Sequence, residues 1–229
     1  MYKVVGPLGL VAIVSTTIVP TALAEPIAGQ MQIAGSFALS STFIDFLPGG
    51  GSTGSFTIAA GTASFAIVVG GVGTLRDILY SATNQTSFLT FAAGPSTRFD
   101  LTGLLPGIYG SAACSGPAAA GQVCTPAGSV LSLANLSATM STLSFAGTGS
   151  FVNGNDMVPY TVKFTATIPN IPYQVVLTTF ASGGSFTSSY SAIFAPVASV
   201  PEPDTYIMLA AGLALLGTAL WRQNTRLPS

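Results

Sequence analysis

Phe151-Val152-Asn153-Gly154-Asn155-Asp156-Met157-Val158 carries the strongest turn signal of this 229-residue chain. Asn and Gly tolerate positive φ, so Asn153-Gly154 between apolar runs predicts a tight hairpin. The flanking segments alternate apolar and polar residues with a period of two, over Ser137–Phe145 before the turn and Val158–Ile168 after it. That period places one face of each segment in a core and the other in solvent.

Working outward, the same texture recurs. Strands are predicted over Met31–Leu39, Thr42–Phe46, Ser55–Ala59, Ser64–Val69, Thr74–Tyr80, Ser87–Phe91, Arg98–Leu101, Val130–Leu133, Tyr173–Phe180 and Phe186–Phe194. Leu136–Leu143 has helical spacing, but its Ser/Thr density favours strand. Turns fall at Pro48-Gly49-Gly50-Gly51, Gly70-Gly71, Gly103–Gly110 and Gly183-Gly184. Many short strands parted by such turns predict an all-β body, an antiparallel sandwich or barrel of about ten strands. The triplet Gly-Ser-Phe recurs at Gly35, Gly54, Gly149 and Gly184. Its irregular spacing makes a solenoid the second choice.

Both ends differ from this body. Lys3, the apolar stretch Val4–Val19 and the small-x-small triplet Ala22-Leu23-Ala24 predict a signal peptide over residues 1–24, cleaved before Glu25. At the other end Pro201-Glu202-Pro203 precedes an apolar run, Tyr206–Trp221, and then Arg222 and Arg226. Sixteen residues at about 1.5 Å each span roughly 24 Å, barely enough for a hydrocarbon core of about 30 Å. A transmembrane helix over residues 205–221 is therefore expected, with the arginines on the cytoplasmic side and Glu202 outside. Three units result: 1–24 signal peptide, 25–199 extracytoplasmic domain, with Ala195–Ser199 as linker, and 200–229 sorting and membrane segment.

The order of Pro-Glu-Pro, apolar span and basic end in residues 200–229 resembles the PEP-CTERM sorting signal of bacterial exported proteins. The resemblance implies that an exosortase, a membrane-embedded peptidase-like enzyme, reads Pro201, Glu202 and Pro203, removes the tail and releases or transfers the body outside the cell. Signal peptidase and exosortase are then its partners during export, with secreted exopolysaccharide or neighbouring surface proteins as partners afterwards. Phe43-Ile44-Asp45-Phe46, Gly73-Thr74-Leu75-Arg76-Asp77, Phe88-Leu89-Thr90-Phe91 and Ser188-Ser189-Tyr190-Ser191-Ala192 resemble a body type recurrent among such proteins, one without an assigned activity.

Charge and composition limit the chemistry. Between Glu25 and Ser199 stand only Arg76, Arg98 and Lys163 against Glu25, Asp45, Asp77, Asp100 and Asp156, a net charge of −2. Three scattered cations cannot neutralise a run of phosphates, so nucleic acid is not an expected partner. Histidine is absent, which removes the commonest general base and metal ligand. No metal and no cofactor are expected, and the body is read as non-enzymatic. Asp45, Asp77, Asp100 and Asp156 keep open a carboxylate-dependent glycoside hydrolase as the least favoured alternative, although Asp100 is set to pair with Arg98 on one strand face. Asn153, Asn155 and Asp156 offer oxygen donors for calcium, but their setting reads first as a turn. Asn84 and Asn135 match the N-glycosylation acceptor pattern, a chance occurrence in a bacterial chain.

Cys114 and Cys124 enclose a Gly/Pro/Ala-rich loop. In an exported chain they predict a disulfide. A polysaccharide-binding or adhesive module is the main alternative to a structural surface protein, since exposed rings stack on sugars. Its candidates are Tyr80, Tyr109, Tyr160, Tyr173 and Tyr190.

Overall fold

A computed structural model describes residues 27–49, 51–81, 84–92, 97–197 and 213. Twelve strands form one sheet. In chain order they are β1 (Met31–Leu39), β2 (Phe43–Leu47), β3 (Thr53–Gly61), β4 (Val72–Arg76), β5 (Ile78–Leu79), β6 (Gln85–Phe91), β7 (Arg98–Leu104), β8 (Val123–Cys124), β9 (Ser132–Ser137), β10 (Met140–Asn153), β11 (Asp156–Ile168) and β12 (Phe186–Pro196). One helix, α1 (Tyr173–Ala181), joins β11 to β12.

Eight strands close a ring in the order β10-β11-β12-β1-β3-β4-β6-β7, because β10 pairs with β11 on one side and β7 on the other. Closure makes this a barrel and removes the open edges a sandwich would have to protect. Two strands, β1 and β10, serve two partners on one edge. β1 pairs with β3 through Met31–Gly35 and with β2 through Ser36–Leu39. β10 pairs with β9 through Met140–Ser144 and with β7 through Gly147–Val152. The wall therefore parts into two flaps, β2–β5 and β9–β8, and α1 packs on β9 and β10.

The β10–β11 hairpin forms as expected, with Asn153 paired to Asp156. Its two-residue turn is centred one position later than the Asn-Gly pair, on Gly154-Asn155. Gly154 takes φ +61°, the conformation a twist-matched hairpin turn needs at its first central residue.

Strict alternation sends Leu143, Phe145, Phe151, Tyr160, Val162, Phe164, Tyr190 and Phe194 inward. Phe145 and Phe164 face each other across β10 and β11 with ring centres 4.6 Å apart. Phe37 stacks on Tyr190 at 5.3 Å, and Phe46 meets Phe164 at 5.6 Å. Such pairs contribute about 0.5–1.5 kcal/mol each beyond area burial. The Gly-Ser-Phe triplets in β1, β3 and β10 now have a physical account: Gly and Phe face inward, Ser outward. Gly35 lies opposite Tyr190, and a Cβ there would stand 2.7 Å from the Tyr190 hydroxyl. The glycine thus makes room for a ring, and the interior is a filled aromatic core instead of a solvent channel.

Two predicted strands are corrected. Ser64–Val69 is a 3-10 turn, Ala63–Val68. Both edges of β3 are already occupied, by β1 and β4, so this insertion has no free edge to join. Its backbone bonds locally and to the N-terminal segment instead: Phe65 N–H donates to Thr62 O at 3.1 Å and Ser64 N–H to Ala28 O at 3.1 Å. Tyr173–Phe180 is α1. Pro172 stands at its N-cap, and Tyr173, Val176 and Phe180 are buried at helical spacing. Thr178 and Thr179, read as strand formers, donate their hydroxyls to the carbonyls of Gln174 and Val175 one turn back.

Smaller differences follow the same logic. Thr74–Tyr80 breaks at Asp77 into β4 and β5. Val130–Leu133 begins two residues later and continues to Ser137, where a turn separates it from β10. β12 runs to Pro196, two residues into the expected linker, because Tyr160 and Thr161 of β11 offer it pairing partners.

Candidate functional site

Pro201, Glu202 and Pro203, the signal peptide over 1–24 and, apart from Leu213, the membrane span over 205–221 lie outside the described residues. Among the described residues no helix is long and apolar enough to cross a membrane. β12 ends at Pro196, so the barrel runs almost to the sorting residues.

Cys114 and Cys124 are joined, with Cα atoms 5.0 Å apart, inside the usual range for a disulfide. Cys114 ends a short 3-10 turn and Cys124 lies in β8. The bond thus ties the long β7–β9 connection to the sheet. Nearby, the Tyr173 hydroxyl donates to Ala113 O at 2.6 Å. Asn135 accepts from Tyr173 N–H at 2.9 Å and donates to Gln174 Oε1 at 2.9 Å. Buried at 2% exposure, Asn135 is a structural clamp and no acceptor for a glycan in the folded chain.

The four carboxylates have different settings. Asp100 accepts from Arg98 Nε at 3.0 Å and from Ser87 N–H at 2.6 Å, so the expected ion pair is formed. Asp156 closes the hairpin turn with Asn153. Asp77 and Asp45 come together because β2 pairs with both β1 and β5. Their cleft, about 640 Å³, is lined by Phe43, Asp45, Arg76, Asp77, Gln85 and Thr86 among others. Asp77 Oδ1 accepts from Phe46 N–H at 2.9 Å, and Gln85 Nε2 donates to Asp77 O at 2.7 Å. Gln85 Oε1 is buried with no partner among the described residues. Sequence reasoning named both aspartates but not their meeting, nor Phe43 and Gln85. The residues are some thirty to forty positions apart, and no local signal announces the β2–β5 pairing.

Burial raises the pKa of Asp77 above the usual 3.8. Its hydrogen bond from Phe46 works in the opposite direction, and the charge of Asp45 adds to the rise. A carboxyl with a raised folded-state pKa keeps its proton longer when folded than when unfolded. Stability therefore falls as pH rises from about 3.8 through the folded value. Asp77→Asn retains an oxygen for Phe46 N–H and should flatten that part of the profile, as urea midpoints measured from pH 3 to pH 7 would show. An unchanged slope would mean that Asp77 titrates as if exposed.

The tyrosine candidates do not form a platform. Tyr160, Tyr173 and Tyr190 are core residues at 0%, 0% and 4% exposure. Tyr80 and Tyr109 are only half-buried but belong to different elements: Tyr80 donates to Ser40 O at 3.4 Å beside β5, and Tyr109 sits in the disulfide-bearing connection. Alternation explains the correction, since a ring at an inward strand position goes to the core. Among the described residues no group of three or more Cys, Asp or Glu is placed to hold a metal ion.

Residues 199–226 match the PEP-CTERM protein-sorting motif. The match contains Pro201, Glu202 and Pro203, the whole apolar span Tyr206–Trp221, and Arg222 and Arg226. A motif of this kind implies export, membrane-anchored processing by an exosortase and release at the surface. No curated protein and no solved structure matches the chain.

Proposed function

We propose that this chain, which carries a PEP-CTERM sorting motif at residues 199–226, is a surface or extracellular-matrix protein whose barrel acts without catalysis. The observation that carries the reading is the attachment of the motif directly to the last strand of a filled barrel. Supporting it, Asp100 is engaged by Arg98 and Ser87, and Asp77 by Phe46. The outer wall presents Ser and Thr, with Thr74 and Thr90 hydroxyls 2.8 Å apart across β4 and β6, a surface suited to hydrated polymer. Mass spectrometry of the exported protein should find an N-terminus at Glu25 and loss of the segment from about Tyr206. Replacing Pro201, Glu202 and Pro203 with Ala should leave the tail attached and the protein in the membrane fraction. Recovery of surface protein that still contains Trp221 would refute tail removal.

A second reading assigns polysaccharide recognition to the Asp45–Asp77 cleft. Favouring it, the carboxylates accept hydrogen bonds from sugar hydroxyls, while Phe43 supplies an apolar face. Retention on the native exopolysaccharide that is lost in Asp45→Ala would promote this reading. A hydrolytic product released in the same incubation, and abolished by Asp77→Asn or Asp100→Asn, would overturn the non-enzymatic reading.

A further inference from the structure

Both described chain ends leave the barrel at one end. Tyr160, in β11, donates its hydroxyl to Gly29 O at 3.0 Å, and Val197 N–H donates to Pro159 O at 3.0 Å. The 3-10 turn Ala63–Val68 joins this end, since Ala28 N–H donates to Ser64 Oγ at 3.0 Å. The ring of Phe65 lies 5.0 Å from that of Phe151 and 6.1 Å from that of Tyr160. The β10–β11 turn lies here too, with Met157 paired to Val152.

Large aliphatic side chains are exposed at this end. Ile67 is 88% exposed and Met157 66%, with Val69, Val72 and Val197 each about half exposed. The exposed parts of these side chains contact nothing within the barrel, and each stands to gain by leaving water. Among the described residues Arg76 lies elsewhere, lining the Asp45–Asp77 cleft, as does Lys163, in mid-strand opposite Ala146 and Ile193; Arg98, opposite Val152 at this end, is neutralised by its ion pair with Asp100.

The chain beyond Val197 sets the geometry. Eight residues separate Val197 from Tyr206, where the apolar span begins. Nine steps of at most about 3.6 Å reach roughly 32 Å. While the tail is in the membrane, this end of the barrel is therefore held within about that distance of the bilayer. The tether gives weakly membrane-seeking side chains a high effective concentration of lipid.

We infer that this end is a membrane-facing foot. Ile67 and Met157, flanked by Val69, Val72 and Val197, seat on the lipid surface while the chain is anchored and let go once the tail is cut. The inference rests on the reading of residues 206–221 as a membrane span. Contact is apolar, so it needs neither anionic lipid nor low salt.

Tryptophan fluorescence tests it, because Trp221 is the single tryptophan of the chain. In a Trp221→Phe background, residues 25–229 carrying Ile67→Trp, Met157→Trp or Ile108→Trp are reconstituted in phosphatidylcholine vesicles containing brominated phosphatidylcholine. Ile108, 74% exposed in the disulfide-bearing connection, is the reference. Emission at positions 67 and 157 should be blue-shifted and quenched several-fold more than at position 108, equally at low and high salt. If the protein floats with the vesicles but all three positions are quenched alike or not at all, the foot is refuted and the membrane span stands. Failure to float refutes both. A blue shift that grows with protein density without lipid quenching would assign the patch to a second copy and likewise overturn the inference.

Discussion

Phe164→Ala should lower the stability of the body by about 3–5 kcal/mol, as deletion of a fully packed ring does. Phe164 sits where the barrel wall and the β2 flap share their core. Its ring lies 4.6 Å from Phe145, 5.6 Å from Phe46, 5.4 Å from Tyr190 and 6.4 Å from both Phe88 and Phe194. No neighbour can move into the gap without leaving another ring. In a domain of this size the loss corresponds to a melting point lower by on the order of 10 °C. Thr165→Ala, on the outward face of the same strand, should change stability by no more than about 0.5 kcal/mol. Thermal melts of the two variants decide the matter. Equal melting points would mean that the aromatic cluster is loosely packed.

The second large effect belongs to the disulfide. Replacing Cys114 and Cys124 together with Ala should cost up to about 3 kcal/mol, the loop-closure value for a short loop. Cys124 is fully buried, so Ala is a better replacement than Ser, which would bury a hydroxyl. Reductant added to the natural protein should reproduce the shift, with thiol labelling appearing in parallel. Limited proteolysis should then cut first within the β7–β9 connection, because the eight strands of the ring are held by ladders on both sides. A denaturation midpoint that reductant leaves unchanged would show that Asn135, Gln174 and Tyr173 hold the connection unaided.

Strand positions were legible wherever a local rule coincided with the final pairing. β1 matches its predicted bounds, and the alternation of β10 and β11 correctly divided inward from outward residues. The two failures, Ala63–Val68 and α1, share a cause. Their residues are strand formers by type, but they connect strands whose edges are taken by other strands. Tyr160, Tyr173 and Tyr190 misled for a related reason: residue type marks a ring as able to meet a sugar, and only packing shows which way it faces. The cleft of Asp45 and Asp77 was invisible because it depends on a short pairing between β2 and β5.

By itself the linear sequence determined the all-β class, the Gly154 hairpin and the sorting segment with Pro201, Glu202 and Pro203. Each of these rests on neighbouring residues, through period-two alternation, positive φ at a turn, or a short stretch met as a string by a processing enzyme. Only the tertiary structure decided for a closed barrel over a sandwich, for the meeting of Asp45 with Asp77, and for the shared end from which Ile27 and Val197 leave. Those outcomes depend on which distant strands become hydrogen-bonded neighbours. That choice is made by filling one aromatic core and closing the eight-strand ring on itself, conditions the whole chain meets together and no single segment encodes.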